Sequence, residues 1–123
     1  LKEVRYHLRH SRDWLVRLGD GTPESHRRAQ AAVDYLLPFT EEFWSTSALE
    51  AEALDQGTGV DVPALRAAWN QTVDEALREA TLTRPADTKR YVREGRRGVH
   101  SEHLGYLLGG MQSLARQHPG AIW

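Results

Sequence analysis

Three groups of acidic and imidazole side chains stand at spacings from which chemistry can be built. Glu3, His7, His10 and Trp14 follow one another at four-, three- and four-residue intervals, which on a helix puts them on one face. Carboxylate and imidazole on a helix face are the donors used by ferritin-like di-iron bundles. There, two helices each give a Glu and two others each give a Glu-x-x-His pair, all pointing inward. The spacing here departs from that pattern, because the residue three after Glu3 is Tyr6 and His7 comes one position later. The reading we prefer is a partly buried ion pair or a hydrogen-bonded histidine.

The second group is Glu41-Glu42. Glu41 falls at the flank of an apolar helical stripe and Glu42 faces away, so at most one can enter a core site, and adjacent glutamates are usually solvated. The third, His100-Ser101-Glu102-His103, fails as Glu-x-x-His because the residue three after Glu102 is Gly105. A helix through this stretch would put His100 in the apolar stripe and Glu102 on the opposite side. Glu102 then serves the helix start through the dipole, with Ser101 assisting. A metal bound by this chain would draw on Glu3, His7, Glu41 and His100; the expectation is that none binds.

Other constellations carry less. Ser11, His7 and Asp13 do not make a triad, because three residues of one helix cannot set an exposed serine beside an oxyanion hole. No glycine-rich phosphate loop is present, and Gly109-Gly110 falls within a helical pattern, where it permits close helix packing. The basic stretch Arg84, Lys89, Arg90, Arg93, Arg96 and Arg97 has the chemistry to grip phosphates or an acidic partner; its plainer reading is a solvated loop.

The elements that must position these residues follow from apolar spacing. Leu1, Val4, Leu8, Ser11, Leu15 and Leu18 mark a helix over 1–18, ended by Gly19-Asp20-Gly21. Thr22 as N-cap, Pro23 and Glu24 start a second helix that runs to about residue 45, with a kink at Pro38. Ser47 caps a short helix over 47–56, Gly57-Thr58-Gly59 breaks it, and Val60-Asp61-Val62 reads as extended. A further helix covers 63–80, a loop with room for one helical turn covers 83–98, and a last helix covers 99–118 before Pro119-Gly120. Four substantial helices, one minor helix and no alternating strand pattern make the chain all-α.

Composition narrows the function classes. At 123 residues the chain fits one domain, and 40% hydrophobic with 27% charged residues is an ordinary globular balance. A net charge of -1 gives little attraction for a nucleic acid, and the longest apolar runs are far too short to span a bilayer. The absence of cysteine excludes disulfides, thiolate metal sites and thiol nucleophiles, and is compatible with the cytoplasm. No N-cap precedes the first helical pattern and no initiator Met is present, so the residues are expected to be part of a longer product.

Several segments carry a family resemblance: Lys2-Glu3-Val4-Arg5-Tyr6-His7-Leu8-Arg9-His10-Ser11, the run 14–21, Leu65-Arg66-Ala67-Ala68-Trp69, and Gly98-Val99-His100-Ser101-Glu102-His103-Leu104-Gly105. With Met111-Gln112 and the run 119–123, they resemble the PaaC-type subunits of ring-1,2-phenylacetyl-CoA epoxidases. The resemblance implies a ferritin-like subunit of a bacterial multicomponent monooxygenase of aerobic phenylacetate breakdown. It also implies a PaaA-type partner that holds the di-iron centre and the substrate, while the PaaC-type chain is a degenerate, structurally required relative in a homo- or hetero-oligomer. On this basis residues 1–123 are expected to form a single helical-bundle domain, the carboxy-terminal part of a longer subunit whose first helices are missing. Trp44 and Trp69 are the expected partner contacts, since large aromatic residues dominate interface energetics. The alternatives are an oxygenase subunit with its own di-iron carboxylate site and an unrelated helical interaction module.

Overall fold

A computed structural model describes residues 2–86 and 94–122, apart from the side chain of Arg96. The described residues form five α-helices and no strand, the all-α class expected from the spacing. The chain divides into two compact units, Leu1–Val92 and Arg93–Trp123.

In the first unit, α1 (Lys2–Gly19) stops at the glycine predicted to end it. The α2 helix (Pro23–Leu36) begins where Thr22 adopts an extended conformation and its hydroxyl accepts the Ser25 N–H at 3.2 Å. This satisfies one of the free donors at a helix start. The continuous, kinked second helix expected to residue 45 is corrected by the structure. Regular α winding ends at Leu36, and Leu37–Trp44 is wound as a 3-10 helix around the fully buried Pro38. Proline has no N–H to give the preceding turn and its ring crowds the carbonyl four residues back, so the chain tightens to the shorter repeat.

The short α3 (Ala48–Asp55) has a full capping box, in which Ser47 and Glu50 satisfy each other's backbone N–H groups. Val62 takes helical angles instead of the extended ones expected, and a 3-10 turn, Pro63–Leu65, leads into α4 (Arg66–Glu79). The α4 helix closes in a Schellman arrangement: Leu82 N–H donates to Leu77 O at 2.9 Å and Thr81 N–H to Arg78 O at 3.2 Å. The residue in the left-handed position is Thr81, with φ 58, where glycine is usual.

That closure also builds the core. Ala29 of α2, Leu77 and Ala80 at the end of α4, and Leu82 just beyond form the buried cluster, with Leu15, Val16, Val33 and Val73 packed against it. Burying one such leucine contributes about 1.5–3 kcal/mol, so Leu77 and Leu82 anchor the cluster. Two backbone attachments reinforce it: Gln30 Oε1 accepts the Thr83 N–H at 2.9 Å, and the Gln30 amide donates to Thr83 O at 2.9 Å.

In the second unit a 3-10 turn, Gly95–Arg97, and Gly98 at φ 80 bring Glu94 and Val99 into an isolated antiparallel bridge. The last helix, α5 (His103–Gln117), therefore begins four residues later than the expected start at Val99, because Val99 is held in the bridge. No α5 residue is buried, and Tyr106, Leu107, Met111 and Leu114 are all exposed.

Candidate functional site

Among the described residues, no three His, Asp or Glu side chains come together in a geometry able to hold a metal. Each predicted ligand is accounted for in another way. Glu3 and His7 are separated by 4.0 Å and belong to the solvated surface, with side chains 86% and 71% exposed. They form the ion-pair geometry preferred from the sequence, but on an exposed face and not partly buried. Glu41 is tied to α4: one terminal nitrogen of Arg66 lies 2.8 Å from each of its carboxylate oxygens. A carboxylate so neutralised is a poor metal donor unless the guanidinium moves away.

His100 corrects a sequence expectation. It precedes α5 and is exposed, so it cannot take a place in that helix's apolar stripe. Glu102 occupies the N-cap position of α5 but makes no side-chain cap hydrogen bond, so the expected support to the helix start reduces to its charge near the dipole. These donors, as placed, do not fit a dinuclear iron centre.

Trp44 and Trp69 are half-buried and pack on each other, with ring centroids 5.2 Å apart at 66°. This locks the 3-10 segment onto α4. Arg66 lies over Trp44 and Arg84 over Trp69, each 5.7 Å from the ring centroid. Arg84 also donates to Asp74 at 2.7 Å. The Trp44 Nε1 and Arg84 Nη2 atoms are shielded from solvent and have no hydrogen-bond partner among the described residues. Of the basic stretch, Arg84 is thus occupied, Arg97 pairs with Glu94 at 3.2 Å, and Lys89, Arg90 and Arg93 lie outside the described residues.

Among the described residues, two further surfaces have the character of sites. One is a groove of about 440 Å³ between α1 and α4, floored by Leu8, Leu15, Val73 and Ala76. The other is the side of α1 away from that groove, with Arg9 and Asp13 at the border of the two. Tyr6 stacks on His10 at 5.8 Å, His10 meets Trp14 edge-on at 6.4 Å, and Arg9 and Arg17 lie over the Tyr6 and Trp14 rings at 5.9 and 5.2 Å. Sequence reasoning placed His10 and Trp14 on this face but missed Tyr6 and Arg17, which the four-residue step Tyr6–His10 and the three-residue step Trp14–Arg17 would have found.

The comparisons with known proteins converge. The phenylacetic acid catabolic protein family matches residues 1–123. The chain is 43% identical over all 123 of its residues to the C-type subunit of the 1,2-phenylacetyl-CoA epoxidase of Escherichia coli (strain K12), and it spans 49% of that relative's length.

Proposed function

The chain belongs to the phenylacetic acid catabolic protein family, and from that premise we propose that it is a structural, non-catalytic subunit of a multicomponent epoxidase acting on the ring of phenylacetyl-CoA. On this reading it belongs to a ferritin-like bundle in the cytoplasm and packs against a PaaA-type catalytic subunit, which supplies the di-iron centre. The name of its Escherichia coli relative supports the assembly and the substrate class. Among the described residues, no helix is long and apolar enough to cross a membrane.

The observation that carries the non-catalytic role is the fate of Glu41. It is the carboxylate predicted at the flank of an apolar stripe, and it is held by Arg66 while Glu3 and His7 face solvent. The Trp44–Trp69 pair contributes to the partner contact through whatever ring surface its mutual packing leaves open. Metal analysis of the purified chain and of its complex with the catalytic subunit tests the reading. The expected result is iron bound in proportion to the catalytic subunit alone, and epoxidation that survives replacement of Glu3 and His7 by Ala. Two irons per copy of this chain, or loss of turnover in that double variant with the complex intact, would overturn it.

A further inference from the structure

We draw no further inference here: the strongest candidate, the groove between α1 and α4 with Leu8, Leu15, Val73 and Ala76 on its floor and both arginines and carboxylates in its lining, is an unpartnered apolar surface, and nothing in the structure shows what covers it.

Discussion

The two ends of α1 face different problems. At its carboxy-terminal end, Gly19 packs so closely on Ala80 that backbone meets backbone, and Val16 and Leu15 join the cluster of Ala29, Leu77 and Leu82. At its amino-terminal end, Val4 is 69% and Leu8 58% exposed, although both continue the same apolar stripe. One stripe, read from one periodicity, is core at one end and open groove at the other. The contrast shows that periodicity fixes which face a helix turns away from water but not how much of that face its own chain can cover. Coverage depends on where the helices cross, and here small residues set the crossing.

The strongest way to break this contrast is at Gly19. A Cβ built there lies 2.2 Å from the carbonyl oxygen of Ala80 and 2.8 Å from its Cβ, so Gly19→Ala must push α1 off the end of α4. Neither obstacle is the tip of a flexible side chain. We expect a loss of about 3 kcal/mol in the urea unfolding free energy, at the upper end of what overpacking costs. A loss under about 1 kcal/mol would mean that the two helices separate easily and that the packed end is no tighter than the open one.

Much of this end was legible in the sequence. Gly19 as a helix stop, Thr22 with Pro23 as the next start, and Ser47 as a cap are local signals whose geometry is complete within four residues. The signals that failed were those decided at a distance or by competing geometry. Pro38 predicts a kink within a continuous helix, but the structure changes its winding there. His100 fitted a helical stripe by spacing, but the Glu94–Val99 bridge ended the alternative helix before it could include that residue. Trp44 and Trp69 are 25 positions apart, and no local pattern says that they meet ring to ring. In the candidate site, the shared face of Glu3, His7, His10 and Trp14 followed from helical spacing alone. That Arg66 would claim Glu41 did not, since the pair joins two elements across a short helix and a turn.

A gentler probe of the packed end is Thr81. As a β-branched residue at φ 58 it occupies a conformation that costs an L-residue on the order of 1–2 kcal/mol. The hydroxyl offsets part of this through a long contact, 3.3 Å, to Gly19 O. The same carbonyl also accepts the His26 ring N–H at 2.8 Å, so the end of α1 keeps its main partner if Thr81 is removed. Thr81→Gly is therefore expected to raise stability by about 1 kcal/mol, seen as a higher urea midpoint at unchanged slope. A lower midpoint would show that the hydroxyl, by tying α1 to the turn after α4, outweighs the backbone strain.

The smallest expected effect lies at the open end and sharpens the comparison from the other side. In the isolated chain Leu8 is mostly in water on the wall of the α1–α4 groove, so Leu8→Ser forfeits little burial and should change unfolding free energy by no more than about 0.5 kcal/mol. The same substitution in an assembly that fills the groove would uncover a buried leucine and cost about 2 kcal/mol or more, through the lost transfer energy and the cavity left behind. Measuring both separates two origins of the open end. Equal, small losses leave the groove solvated in the assembly as well. A small loss alone and a large one in the complex would make the groove an interface whose apolar surface the chain carries but does not cover. A large loss in the isolated chain would erase the difference between the two ends of α1.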